Sequence, residues 1–260
     1  ERTSICISSQ VGCPMACSFC ATGTEGLARN LTAGEIVDQY LLVQSLHPDT
    51  RISHVVMMGM GEPLLNLPAV LKAIRILTGP IGLSMRHITV STVGVVPGID
   101  KLAQEDLPLT LAVSLHAPDD ALRSELVPLN EKYPVAVLMD ACRRYTNQTR
   151  RRITFEYVLM AGVNDNDGDA HRLGALLARQ PLCALNTIPY NSTEVDARYR
   201  RPTSEATRRF RDIVASYGVV VTQRQEKGHN IAAACGQLKR ATDRMGTSMR
   251  KLPMAVNVTP

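Results

Sequence analysis

The chain has 260 residues, 45% of them hydrophobic and 20% charged, with a net charge of +5. That length suits one large α/β unit with a core that needs no staples, and no apolar run approaches the roughly 18 residues of a membrane span. Seven cysteines, three of them crowded between positions 13 and 20, form no regular disulfide framework and favour metal or redox chemistry in a reducing compartment, so a cytoplasmic protein is expected.

The opening, ERTSICISSQ, has no initiator Met and no secretory layout, and reads as an N-terminal truncation. The first expected strand, Ser4–Ser8, runs into SSQVGCPMACSFCATG, where Cys13, Cys17 and Cys20 have the spacing CxxxCxxC. Three thiolates on one tight loop can each ligate one iron of a cubane. The fourth iron is then open to a substrate, unlike that of a four-cysteine ferredoxin. The competing reading is structural zinc with His54 or Cys183 as fourth ligand, but no second CxxC or HxxxH pair completes such a site. Phe19, just before the last cysteine, would shield a cluster from water. Cys6 lies in the strand, seven residues before Cys13.

A helix is expected over Ala33–Leu46, with Thr32 and Glu35 as a capping box. The strand Ile52–Met58 leads into GMGEPLLN. Gly59 and Gly61 permit close backbone approach and Glu62 places a carboxylate at the strand end. The quartet either grips an amino group or is a βα turn. A helix over Pro68–Leu77 follows. The strands His87–Ser91 and Leu109–Ser114 end at Ser91-Thr92 and Ser114-Leu115-His116, where His116 is a proton donor, a ligand anchor or a structural residue.

The second half continues with a helix over Val135–Tyr145, the strand Arg152–Leu159, a helix over Asp169–Arg179 and the strand Ala184–Pro189, which ends at Tyr190-Asn191. Cys142 and Cys183 sit in apolar surroundings and read as core filler. A helix over Ser204–Tyr217, capped by Ser204, precedes the strand Val219–Arg224. Beyond it, Cys235 in IAAACGQL has small neighbours that leave its thiol reachable by a large substrate. A transient disulfide between accessible Cys6 and Cys235 is conceivable on chemical grounds.

Strand–helix alternation of this kind argues for βαβ units and a parallel sheet, either a partial barrel or a doubly wound sheet, and both place function at the carboxyl ends of the strands. Basic residues fall in three runs: Arg150 to Arg152; Arg198, Arg200, Arg201, Arg208, Arg209 and Arg211; and Lys239, Arg240, Arg244, Arg250 and Lys251. Each alone reads as a solvated face, although arginine suits phosphate contacts. With no Trp and three Phe, extended base stacking is disfavoured. Recognition by shape and phosphate contacts, with one extruded base, fits better.

CxxxCxxC with an aromatic before the last cysteine resembles the radical S-adenosylmethionine (SAM) superfamily. The strings CISSQVGC, FCATG, VVMMGMGEPLLN, SLHAPDD and AACGQL closely resemble the RlmN/Cfr family of RNA adenosine methyltransferases, over about Thr3 to Leu238. The resemblance implies an α/β fold, a partial (β/α)6 TIM-like barrel over residues 1–238 with a basic tail at 239–260. It implies a 4Fe-4S cluster on Cys13, Cys17 and Cys20, and SAM contacts from Gly61, Glu62, Ser91, Ser114, Leu115, His116 and Asn191. It also implies that Cys235 carries a methyl group and that Cys6 is the second essential cysteine.

The chemistry so implied answers the low nucleophilicity of carbon 2 of adenine. Cys235 takes a methyl group from one SAM. A second SAM is cleaved reductively to a 5'-deoxyadenosyl radical, which removes hydrogen from the methylated Cys235. The carbon radical adds to the base, and Cys6 then helps release the product, leaving a disulfide with Cys235. GEPLLN resembles the branch that methylates carbon 2 of an adenosine in 23S rRNA, and often of a tRNA anticodon-loop adenosine. IPYNST has features of the Cfr branch, which methylates carbon 8 and confers antibiotic resistance.

An external electron donor such as flavodoxin, a monomeric state and no membrane association complete the expectation. Two departures stand out. The family's accessory N-terminal domain and an upstream acidic residue precede the start of this chain, and Asn230 stands in KGHNIAAAC where the family often has an acid. Outside the family, the alternatives are a radical SAM enzyme acting on a small molecule and a non-catalytic RNA-binding protein with a structural metal site.

Overall fold

The structure is a computed structural model that describes residues 2–191 and 196–224, together with the strand at 256–257. The chain opens with β1 (Ser4–Cys6) and a hairpin of β2 (Gln10–Gly12) against β3 (Leu27–Asn30), and the turn α1 (Ala21–Thr24) lies inside that hairpin's connection. Helices and strands then alternate: α2 (Ala33–Leu46), β4 (His54–Met57), α3 (Leu67–Thr78), β5 (Ile88–Thr92), α4 (Val96–Gln104) and β6 (Thr110–Ser114). After these come α5 (Asp120–Leu126), α6 (Val135–Thr149), β7 (Ile153–Leu159), α7 (Asp167–Ala178), β8 (Cys183–Pro189), α8 (Ser204–Ala215), β9 (Val220–Gln223) and β10 (Val256–Asn257).

Seven strands, β1-β4-β5-β6-β7-β8-β9, lie parallel in that order and curl into a partial barrel, as expected of the radical SAM type. β10 adds antiparallel to β1, with Ser4 opposite Asn257. It falls within the stretch 239–260 that the sequence suggests as a tail. Along the strands one alternate set of side chains, including Val55, Val90, Leu111, Val113, Ile153 and Phe155, is fully buried in the main core. The other set, including Ser91, Ser114, Glu156 and Ile188, lines a cavity on the concave side. This is the period-two division of a pleated strand between two environments.

The capping box of α2 forms as expected: Thr32 Oγ1 accepts from the Glu35 N–H at 3.2 Å, and Glu35 Oε2 accepts from the Thr32 N–H at 2.9 Å. The cap of α8 is Thr203, not Ser204, because the Thr203 hydroxyl accepts from the Ala206 N–H at 3.1 Å while Ser204 is already the first helical residue. Besides the single turn α1, two helices have no counterpart among the sequence expectations, α4 and α5. In α4 the Pro97-Gly98 pair looks like a breaker, yet proline in a first helical turn lacks only an N–H that would have no partner there. Gly98 is required by packing, since a Cβ there would lie 2.6 Å from Leu64 Cβ.

Candidate active site

The cysteine loop is tied back at both ends. Gly12 has φ +79° and a Cβ there would meet the Gly26 carbonyl oxygen at 2.0 Å, so only glycine lets the hairpin close. The Cys13 N–H donates to that same carbonyl at 3.0 Å, and the Ser18 N–H donates to Leu126 O at 3.1 Å. Cys13, Cys17 and Cys20 all line the concave cavity. Burial pushes the Cys13 thiol up to about 11 and the Cys17 thiol well above its ordinary value, and the neighbouring cysteines add to both shifts. Phe19 is buried beside Cys17, with its ring edge-on to His116 at 4.9 Å.

The strand ends face the same cavity. The loop after β4 is locked to the loop after β1: Gly59 N–H donates to Ile7 O at 3.1 Å, Met60 N–H to Ser8 Oγ at 2.9 Å, and Ser9 N–H to Met60 O at 2.9 Å. Glu62 is 2% exposed and its carboxylate accepts from the N–H groups of Leu64 at 3.0 Å and Val93 at 2.9 Å. Burial nevertheless pushes its carboxyl up to about 7. His116, in left-handed backbone with φ +61°, accepts at Nδ1 from the Val158 N–H at 3.1 Å, which leaves its proton on Nε2. Burial lowers its imidazole to about 3, so it is a neutral single donor. Asn191 is buried against the cavity, and its Oδ1 has no hydrogen-bond partner among the described residues. A buried acceptor in that state is costly unless a ligand supplies the donor.

Known proteins agree with this geometry. Residues 7–173 match the model of the radical SAM superfamily. A protein of Thermosynechococcus vestitus named "Probable dual-specificity RNA methyltransferase RlmN" is 53% identical over 93% of this chain and 71% of its own length. A protein of the same name from Rhodopirellula baltica is 53% identical over 92% of this chain and 65% of its own length. The crystal structure of a radical SAM methyltransferase from Sphaerobacter thermophilus superposes with a TM-score of 0.87 at 50% identity, covering 91% of this chain and 70% of that one. The chain belongs to the RlmN family of radical SAM proteins. The cofactors of that family are a 4Fe-4S cluster and SAM.

The residues present fit both groups. Three thiolates crowded in a buried loop are sustainable only against strong positive charge, which bound iron supplies. Among the described residues no group of three His, Cys, Asp or Glu side chains is placed to hold a single metal ion. The zinc alternatives fail on placement as well. His54 starts β4, bonds Ser53 Oγ at 2.8 Å and stacks on His87, while Cys183 starts β8 and donates to Leu177 O. Both lie at amino ends of strands, away from the cysteine loop. On the SAM side, Glu62 can take an ammonium and Asn191 Oδ1 an N–H or O–H donor.

Of the site residues the sequence suggests, Cys13, Cys17, Cys20, Gly61, Glu62, Ser91, Ser114, His116 and Asn191 share one cavity. Leu115 does not line it. Its side chain is in the main core, its N–H donates to Glu156 O and its carbonyl accepts from Arg123. Cys6 is half-buried on β1, in register with Val56, and does not line the cavity either. Cys235 and the third basic run lie outside the described residues.

Cys142 is a fully buried core thiol, and Cys183 packs against the core from a half-buried position. In the second basic run Arg198 pairs with Asp196 and Arg209 with Asp167, both on the exposed surface, where such pairs contribute little.

Three supporting residues were not among the site residues the sequence suggests. Asn66 Nδ2 donates to Ser9 O and Leu31 O, both at 2.8 Å, joining the two loops beneath Glu62. Asn164 Nδ2 donates to His116 O at 2.8 Å and Val158 O at 2.7 Å, and its Oδ1 accepts from the Met160 N–H at 2.7 Å. Glu156, on the cavity wall, accepts from Asn186 Nδ2 at 2.7 Å. Each is a polar residue defined by distant partners, with no local pattern to mark it.

Proposed function

We propose that this chain is the catalytic barrel of an enzyme that methylates carbon 2 of an adenosine in 23S rRNA, and of a tRNA adenosine, through a methylated cysteine. The observation that carries the reading is the meeting of the three-cysteine loop with the Glu62 carboxylate and the partnerless Asn191 Oδ1 in one cavity at the strand ends. The family relatives, named RNA methyltransferases, support RNA as the substrate.

When bound, the cluster and SAM supply an electron, a methyl group and a carbon-centred radical at this cavity. The chain's own residues bind and orient. Cys13, Cys17 and Cys20 would hold the cluster through three thiolates. Glu62 takes the SAM ammonium, with the Gly59–Gly61 loop fixed by Ser8, Ser9 and Gln10. Neutral His116 offers one N–H, Asn191 one acceptor, and Ser91 and Ser114 hydroxyls. Phe19, Tyr190 and Tyr199, buried around Cys17, exclude water from the cluster side. Cys235 would carry the methyl group and Cys6 would be the second essential cysteine, both carried over from the family strings.

Residues 1–238 carry the proposed catalytic residues, and 239–260 is a basic segment whose β10 strand joins the sheet beside β1. The protein works as a cytoplasmic monomer with an external electron donor such as flavodoxin. Among the described residues no helix is long and apolar enough to cross a membrane.

The test is mass spectrometry of 23S rRNA and tRNA after incubation with the reconstituted chain, SAM and a reductant. Methylation at carbon 2, lost in Cys235→Ala, is the expected result. Methylation at carbon 8 would favour the Cfr-like reading. Full activity in Cys235→Ala would refute the carrier mechanism.

A further inference from the structure

One strongly charged group beside the cavity has no part in holding SAM. Arg123, on α5, is 1% exposed and heads the fully buried side chains by size. Its guanidinium donates to Val93 O at 2.7 Å, Asn130 Oδ1 at 2.9 Å, Leu115 O at 3.1 Å and Ser114 O at 3.2 Å. All four acceptors are neutral, and among the described residues no carboxylate lies within ion-pair distance of it. A guanidinium taken out of water onto neutral acceptors has its hydrogen bonds met but its charge uncompensated, which is unfavourable unless an anion is near.

The missing anion is at hand in the cysteine loop. α5 abuts that loop, with the Ser18 N–H donating to Leu126 O, and Leu126 and Val127 pack with Cys17 and Phe19. Val93 and Ser114, whose carbonyls hold the guanidinium, line the same cavity as Cys13, Cys17 and Cys20.

We propose that Arg123 is the built-in counter-charge of the cluster held by Cys13, Cys17 and Cys20, and that it raises the cluster's reduction potential. A cubane core of charge 2+ on three thiolates is a net monoanion, and one electron from a low-potential donor makes it a dianion. A fixed, water-shielded cation stabilises the dianion more than the monoanion, so reduction becomes easier. Three of these hydrogen bonds, to Val93, Ser114 and Leu115, tie together the carboxyl ends of β5 and β6, where Ser91 and Ser114 stand, so the cation cannot swing away to solvent. Arg123 is therefore a positioning residue that acts on the cluster through its charge.

The inference rests on the cluster assignment, so iron and sulfide content of the anaerobically reconstituted full chain is measured first. A wild-type chain without a cubane refutes that assignment and this inference with it. The midpoint is then read by a redox titration followed by electron paramagnetic resonance. In Arg123→Gln the ratio of reduced to oxidised cluster at the wild-type midpoint falls at least about tenfold, a shift of about 59 mV to more negative potential for a one-electron couple.

Arg123→Lys, which keeps the charge but loses the planar fork, stays close to wild type. Asn130→Asp sets a carboxylate where Asn130 Oδ1 now accepts from Arg123 at 2.9 Å, and moves the midpoint in the same direction as Arg123→Gln. It decides alone if Arg123→Gln does not assemble a cluster. A loaded Arg123→Gln with an unmoved midpoint overturns the proposal. Equal shifts in Arg123→Gln and Arg123→Lys also overturn it, because loop geometry rather than charge would then set the potential.

Discussion

Replacing Gly61 with alanine should damage SAM binding and stability together. Gly61 has φ +103°, a region that side-chain-bearing residues rarely enter, and the new Cβ would lie 2.6 Å from Gln10 Cβ, 2.8 Å from its Cγ and 2.9 Å from its backbone nitrogen. Gln10 has nowhere to retreat. It is 1% exposed, its Nε2 donates to Asn30 Oδ1 at 2.7 Å and its Oε1 accepts from the Glu62 N–H at 2.8 Å. Backbone strain of about 1–3 kcal/mol adds to the loss of at least one buried hydrogen bond, about 1–3 kcal/mol. Urea unfolding of the metal-free protein should therefore show a loss of about 2–6 kcal/mol. Glu62 is displaced with its N–H anchor, so SAM affinity of the reconstituted protein, read by equilibrium dialysis, should fall about a hundredfold, equivalent to about 2.7 kcal/mol. Wild-type stability and affinity in Gly61→Ala would refute the reasoning, since the loop would then have room that the packing denies it.

Asn164→Ala strands the carbonyls of His116 and Val158 and the N–H of Met160, and should cost about 3–5 kcal/mol in urea unfolding; a loss under about 1 kcal/mol would contradict its role as the tie between those loops. His116 titrates at about 3 in the folded chain, below its ordinary value. Its contribution to stability is thus present above about pH 6.5 and lost as pH falls toward 3, at up to about 1.4 kcal/mol per unit. The denaturation midpoint of the metal-free protein should follow this slope, and His116→Gln should flatten it. Glu62 has the opposite sign. Its folded carboxyl is raised to about 7, so its contribution is present below about pH 4.5 and declines as pH rises through 7. Glu62→Gln should abolish that decline, and an unaltered profile would show that the carboxylate is not desolvated.

The strands of the barrel were legible because apolar residues at every second position have to meet the helices, and the seven expected runs each contain the observed strand to within a residue or two. The β2–β3 hairpin was not, because Leu27–Asn30 is exposed along its whole length and shows no alternation. α4 was hidden by Pro97-Gly98, where the tolerance of a first turn for proline outweighs its usual role as a breaker. In the site, the cysteines announce themselves by spacing, while Glu62 was open to a plain βα-turn reading until the family strings were set beside it. Arg123 and Asn164 do not announce themselves, because what they do is set by carbonyls of other segments, such as Val93 and His116, that only the fold brings near. Leu115 shows the limit of motif reading, since the Ser114-Leu115-His116 string holds two cavity residues separated by one core residue.

The electron paramagnetic resonance spectrum of the anaerobically reconstituted, reduced chain, recorded before and after addition of SAM, probes the vacant iron directly. A cubane signal that changes on addition of SAM, and that is missing from Cys17→Ala, is the predicted result. A single zinc per chain with no visible-range absorption, or a cluster signal indifferent to SAM, would contradict it.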